Sequence, residues 1–547
     1  MSQPLQDTDQ AQRAAPSTAP DLNKHTEPGG PMTHRQIMET LAGLLTGMFV
    51  AILSSTIVAN ALPTIISDLH AGQTAYSWVI TATLLAMTVT TPIWGKLSDL
   101  VDKKLLVQIS LVIFVVGSVI AGLAANAGQL IAARAIQGVG AGGMTALTQT
   151  IMAVMVSPRE RGRYGGYMSG LFAVGTVVGP LVGGAIVDTS WLGWRWCFFI
   201  GIPIAAVALV VLQKTMHLPM VRRQTKVDWL GALLVAAATS LLLIWVSFAG
   251  DKYAWLSWQS GVMIGGAAVL VALFLLTESK TSEPIIPLHL FGNRTIVLAV
   301  AGSLVAGVAM YSGTTFLSQY FQLARDESPT AAGLLTLPMI FGLAIVSIVS
   351  GRLISRTGRW KSVLVIGSVL TVVGVTSLGT ARAGTPYGLL AIYMFCVGAG
   401  VGMTMQNLVV AVQNQVRIHE IGAASATVAF MRSLGGAIGV SALGAVMATS
   451  ITHYTETGLA GLGIQGNGTN SGSSLPSLST LSAPVRSVVE DAYGHGVADA
   501  FLYTAPLALL ALIAILFIRE VPLRTTVAPG QAVEAAGSRT DGKVSHS

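Results

Sequence analysis

GGYMSGLFAVGTVVGPLVGGAIVD, residues 165–188, decides how this chain must fold. The stretch is apolar enough to cross a bilayer, yet it is crowded with glycine. On a helix at 100° per residue, Gly175, Gly179 and Gly183 fall within roughly 80° of arc on one face, and Gly166, Gly170 and Gly184 within about 40° on another. Stripes without side chains let neighbouring backbones come close, and such packing supplies much of helix association in lipid. Pro180 removes one backbone donor and is expected to bend the helix there. The segment reads as a helix wedged between two neighbours; an ordinary small-residue packing seam gives the same pattern.

The rest of the chain supplies the neighbours. Of 547 residues, 52% are hydrophobic and only 10% charged, and the mean hydropathy is +0.68. A soluble domain carries nearer a quarter charged residues, so the chain is an all-α polytopic membrane protein. Fourteen apolar runs are long enough to count as spans, near 37–62, 76–95, 105–124, 128–155, 164–187, 198–213, 229–249, 259–277, 295–323, 331–350, 361–379, 387–412, 423–448 and 499–518. Residues 1–36 and 525–547 are polar and read as disordered tails. Cys197 and Cys396 suggest neither a metal site nor a disulfide framework.

Loop charge sets the orientation. Loops after even-numbered spans hold about 17 Lys and Arg, against about 5 after odd-numbered ones. Lys96, Lys103 and Lys104, then Arg159, Arg161 and Arg163, then Arg352, Arg356 and Arg359 belong to the rich side. Both termini are therefore expected in the cytoplasm, and the Gly/Ser-rich loop 449–498 outside. The net charge of +7 resides in these short loops, which argues against nucleic acid as a partner.

A weak repeat divides the chain. GKLSDLVDKK begins at Gly95 after the second span, and GRLISRTGRW at Gly351 after the tenth. Both read Gly-basic-Leu with a further basic residue eight positions on. Duplicated halves with a site between them are a common transporter plan. The expected architecture is two six-helix bundles, 37–213 and 295–518, with an inserted helix pair, 229–277, between them.

Several stretches together resemble the major facilitator superfamily, and within it the fourteen-helix drug:proton antiporter branch. GKLSDLVDKK is similar to the family's loop motif, LIAARAIQGVGAGGM (130–144) to its fourth-helix motif, and GLFAVGTVVGPLVGG (170–184) to the antiporter motif of the fifth helix. WRWCFFIGIPI (194–204), VDWLGALL (227–234) and EPIIPLHLFGNR (283–294) look like features of the fourteen-helix branch. The resemblance implies the major facilitator fold and a multi-pass protein of the bacterial cytoplasmic membrane. It also implies a functional monomer that exports a small amphipathic substrate, a drug or antibiotic, in exchange for protons.

The resemblance assigns roles to particular residues. Arg134, about 9 Å into its span, would face the central cavity and handle protons or substrate, with Gln137 and Gly138 completing the motif. Snorkelling to the outer interface is the alternative. Asp99, Lys103 and Lys104, with Gly95, would latch the inward side, the acid meeting a helix terminus. Asp102 and Lys103 stand where the family has Gly-Arg. Where the family places an aspartate in the first span, this chain has Ser54, which cannot carry a proton near neutral pH. Ser54, Thr56 and Asn60 either line a polar wall or bond back to their own helix. The remaining carboxylates near span ends are Glu39, Asp68, Asp188, Asp228 and Asp499; Asp188 and Asp68 are the candidate proton carriers.

Two further polar groups stand out. Gln319 and Gln322 lie among Tyr311, Phe316, Tyr320 and Phe321, which suits amphipathic aromatic or cationic substrates; an outer aromatic belt accounts for them equally. Gln406, Asn407, Gln413 and Asn414 form a run that either lines a pore or bonds helices. No phosphate-cradling loop, HExxH or catalytic serine–histidine–acid order stands out. No cofactor is therefore expected, and the proton gradient would drive transport. One charge crossing 100 mV is worth about 2.3 kcal/mol, roughly a fiftyfold gradient. A transporter of lipid, peptide or metabolite without proton exchange, or a non-transporting sensor, are the rival readings.

Overall fold

A computed structural model describes residues 34–71, 73–189, 192–216, 228–250, 252–281, 284–417, 420–462 and 482–524. Runs of apolar residues with no water to bond their backbone must close that backbone on itself, and they do so as helices. The first half holds α1 (His34–Asp68), α2 (Gln73–Leu100), α3 (Lys103–Gly122), α4 (Ala127–Met155), α5 (Pro158–Asp188) and α6 (Gly201–Thr215), the last entered through a single turn, Trp196–Phe199. Next come α7 (Trp229–Phe248) and α8 (Trp258–Glu278). The second half holds α9 (Arg294–Gln319), α10 (Leu337–Thr357), α11 (Lys361–Leu378), α12 (Tyr387–Gln413), α13 (Ile421–Gly461) and α14 (Ala483–Leu516).

Thirteen stretches among the described residues are long and apolar enough to cross a membrane. The fourteenth helix, α4, has 29 residues but is diluted by glycine, threonine and glutamine. It can be polar because it is sandwiched between α2 and α3.

Local chemistry starts several helices. Asp102, Asn126, Asp228 and Asn293 each accept a backbone N–H of the helix that follows, a cap worth about 0.5–2 kcal/mol. The two copies of the loop motif diverge here. Gly358 closes α10 at φ +72°, a left-handed turn that favours glycine. The matching Asp102 instead bonds Lys104 N at 2.9 Å and opens α3.

Each half has its own apolar core. The halves meet where α5 packs on α10 and α2 on α13, pairings that the repeat relates to each other. The inserted α7 lies alongside α2 and α13, with Val235, Phe274, Ile286 and Phe430 in a small shared core.

The long loop expected over 449–498 is shorter than the hydropathy suggests. Helix α13 continues past 448 to Gly461, and α14 begins at Ala483 rather than near 499. The 41 residues of α13 span about 60 Å, twice a hydrocarbon core. Beyond the apolar part the two helices hold each other, with Tyr454 stacked on His495 at 4.4 Å. The expected tails lie outside the described residues, except that His34 already begins α1; residues 463–481 of the loop also lie outside them.

Candidate functional site

One end of the molecule carries the basic loops, and the halves are bonded together there. Asp99, at the end of α2, accepts the amide of Gly422 on Oδ1 and that of Ala423 on Oδ2, both at 2.9 Å. These are free donors at the start of α13, where the helix dipole favours a negative charge. The contact needs two glycines: a Cβ on Gly95 would strike Ala426, and one on Gly422 would strike Ser98 Oγ. Lys103 stands beside Asp99 and Asp102. Lys104 does not join this cluster; its ammonium donates to Gln213 O at 2.7 Å, near the end of α6.

The repeat-related contact is made with inverted chemistry. Arg159, in the first turn of α5, donates to Ser355 O at 3.1 Å and to Arg356 O at 3.2 Å, in the last turn of α10. Its own amide donates to Arg524 O at 3.3 Å. Nearby, Arg161 is 2% exposed. It donates to Ala153 O and Val156 O at the end of α4, and to Gln413 Oε1 in the other half at 3.1 Å. Gln413 passes the link to Ser425 at 2.8 Å. Deeper in the seam, Ser347 donates to Ser169 at 2.9 Å. Among the described residues, the hydrogen bonds between halves lie at the basic end or at this depth.

Helix α5 sits between two neighbours. Gly175, Gly179 and Gly183 face Ile52, Thr56 and Ile57 of α1, while Gly166 and Gly170 face Ile348 of α10. Gly184 is half-buried. The helix is unbroken from Pro158 to Asp188; the side chains of Pro180, Asp188 and Asn60 lie outside the described residues. Thr56 belongs to this packing and not to an open wall. Its hydroxyl donates to Leu53 O at 3.0 Å and to Gly175 O at 3.1 Å.

Arg134 is 4% exposed and turns inward rather than snorkelling. It donates to Gln137 Oε1 at 2.9 Å and to Val79 O at 3.4 Å, and Gln137 donates to Ser118 at 2.7 Å. Ser54 is buried, and its hydroxyl has no partner among the described residues. Gly47 faces Met144, and α1 and α4 run in opposite directions. Seven residues along both, the same register sets Ser54 level with Gln137. Asp68 is held elsewhere, at the opposite end of the molecule, by Trp194 Nε1 at 2.7 Å and Arg195 at 3.7 Å.

The aromatic group on α9 is interior. Phe316, Tyr320 and Phe321 are buried in the second half's core, so they form no lipid-facing belt. Gln319 stands just before a widened π turn, Tyr320–Ala324, with Oε1 buried and unpartnered. Gln322 donates to Ser318 at 2.9 Å. Of the polar run on α12, Gln406 lies against Gly165 of α5, Asn407 bonds its own helix, and Asn414 holds the segment that follows α14.

Sequence reasoning passed over two residues of this interior. Arg432 is the only charge in the thirteenth span and is 5% exposed; the rule that singled out Arg134 applies to it equally. Arg161 looks like any loop cation in sequence, and only tertiary packing buries it.

Residues 44–440 match the Major Facilitator Superfamily. An uncharacterised MFS-type transporter of Mycobacterium tuberculosis is 36% identical over 516 residues, covering 93% of this chain and 73% of the relative. Multidrug resistance protein 3 of Bacillus subtilis is 30% identical over 494 residues, covering 88% and 95%. The proton:xylose symporter XylE is similar in structure, with a TM-score of 0.61 at 14% identity, covering 92% of this chain and 99% of that one. With a family match over most of its length and the helices packed as two related halves, the chain belongs to the major facilitator superfamily of membrane transporters.

Proposed function

We propose that this transporter exports amphipathic small molecules, drugs and antibiotics among them, in exchange for protons, by rocking residues 37–213 against 295–518. The observation that carries the reading is the clustering of inter-half bonds at the basic end, where Asp99 and Arg159 each cap a helix of the opposite half. Basic loops favour the cytoplasmic face, so the latch closes the inner side. Bonds gathered at one end are what a two-state gate needs, since they break as a group when the other state forms. The glycine faces of α5 let it slide between α1 and α10 while leaving no gap for proton leak. The multidrug names of relatives near 30% identity favour drugs as substrates.

Ser54 favours a second reading, export without proton exchange, because the drug:proton branch has an acid there. Dye uptake into everted membrane vesicles, the direction of export from a cell, separates the two. Accumulation driven by an imposed proton gradient and abolished by a protonophore supports antiport. Movement indifferent to the protonophore supports the second reading, and no movement of any dye in a broad panel overturns both.

A further inference from the structure

Arg432 lies eleven residues into α13, about 16 Å from its start, and is buried. A guanidinium taken out of water costs several kcal/mol unless it is paired. Its Nη1 is buried with no hydrogen-bond partner among the described residues. The neighbouring polar side chain is the phenol Tyr311 of α9, whose ring lies against Gly436, one turn along α13.

The direction of Arg432 follows from the helix. Phe430 and Leu434 belong to the core shared with α7, and Arg432 is about 160° of arc from each. Its backbone lies against Gly307 of α9, on the face of α13 whose Gly435, Gly436 and Gly439 also meet α9, so Arg432 is held inside the second half, away from α7. In the first half Arg134 is buried likewise, bonded to an amide and a carbonyl. Among the described residues neither arginine forms an ion pair. Gln406 offers a second donor without an acceptor, its Nε2.

We infer that Arg432 is the anion-recognition residue of an interior binding site whose ligands carry a carboxylate on an apolar body. Two buried positive charges without a counter-charge repel cationic amphiphiles and attract anionic ones. The unpartnered Nη1 of Arg432 can donate to a carboxylate, and the planar guanidinium suits that group's geometry. The inference refines the proposed export function, resting on it for the direction of movement and not for binding.

The test uses fluorescein and rhodamine 123, xanthene dyes of closely similar shape and opposite charge, with the full chain in phosphatidylcholine nanodiscs. Fluorescence polarisation is expected to show fluorescein binding at least tenfold tighter. Arg432→Gln should raise its dissociation constant at least tenfold, and Arg432→Lys should raise it less. On the wild-type protein alone, salicylate should displace fluorescein and benzyl alcohol should not. Tighter binding of rhodamine 123, unchanged fluorescein affinity in Arg432→Gln, or displacement by benzyl alcohol as effective as by salicylate overturns the inference. If the binding pattern holds but neither dye crosses vesicle membranes, the export reading fails and the site stands.

Discussion

Asp99 and Ser355 hold the same position in the two copies of the loop motif, yet they join the halves with opposite polarity. Asp99 receives hydrogen bonds from the first amides of α13 through its carboxylate. Ser355 receives one through its carbonyl, from an arginine in the first turn of α5. The repeat keeps the contact and exchanges an anion at a helix start for a cation at a helix end. Both arrangements satisfy the charge preference of the terminus they meet.

The latch should therefore respond to either partner. Asp99→Asn keeps the shape and loses the charge, at a cost of about 1–2 kcal/mol, which changes the ratio of closed to open states roughly five- to thirtyfold. Arg159→Ala removes two net bonds of about 0.5–1.5 kcal/mol each. Spin-label distances across the α2–α13 ends should lengthen in each variant and further in the double variant. An unchanged distance distribution in Asp99→Asn would show that the cap does not hold the halves together.

The glycines of α5 should not be equivalent. A Cβ on Gly179 would sit 2.5 Å from Thr56 Cβ, a rigid branched neighbour, whereas one on Gly170 would lie 3.8 Å from Ile348 Cδ1, an ordinary contact. Gly179→Ala should push α1 from α5 and abolish transport while the protein still inserts. Gly170→Ala should transport within about twofold of wild type, since no atom need shift. Vesicle assays normalised to membrane protein decide it, and equal loss in both variants would rule out local packing as the cause.

What sequence makes legible here follows from where each interaction is written. Spans are written in runs of apolar residues, and the two faces of α5 in glycine spacing, so both appear without a structure. Asp99 is singled out by the family resemblance, since an acid at a helix end by itself reads equally as a solvated loop residue. The end of α13 and the start of α14 are not legible, because hydropathy marks where lipid stops and not where the helix stops; Tyr454 and His495 stabilise it beyond. The partners of Arg161 come from α4 and α12, and no local pattern announces them. Arg432 was readable, since a lone charge in a span is a signal by itself.

The register between α1 and α4 predicts a conditional effect at Ser54. Placed level with Gln137, a carboxylate there would lie beside Arg134. Ser54→Asp alone should be tolerated, but combined with Arg134→Gln it leaves a buried acid unpaired, costing about 3–5 kcal/mol. A double-mutant cycle on the thermal midpoint of the solubilised protein measures the coupling. Zero coupling would show that position 54 does not reach Arg134.

The inserted pair offers a prediction of the opposite sign. Asp228 caps α7 through Oδ1, which accepts Gly231 N at 2.8 Å, and Glu278 at the end of α8 accepts Ile286 N. Their other oxygens, Oδ2 and Oε2, are buried and accept no hydrogen bond from the other described residues. Both crowd the same point, 2.5 and 2.8 Å from where a Cβ on Gly231 would stand, which is why the motif has glycine three residues after its acid. When both carboxyls are ionised, two acceptors face each other with no donor between them. Glu278→Gln keeps the bond to Ile286 and supplies the missing N–H, so it should hold or raise the unfolding midpoint at pH 8. Glu278→Ala strands the Ile286 amide and should lower stability by about 1–3 kcal/mol. Thermal unfolding of the two variants side by side is the check: if the glutamine variant falls as far as the alanine one, the second oxygens do not meet, and the pair is held by something other than their mutual contact.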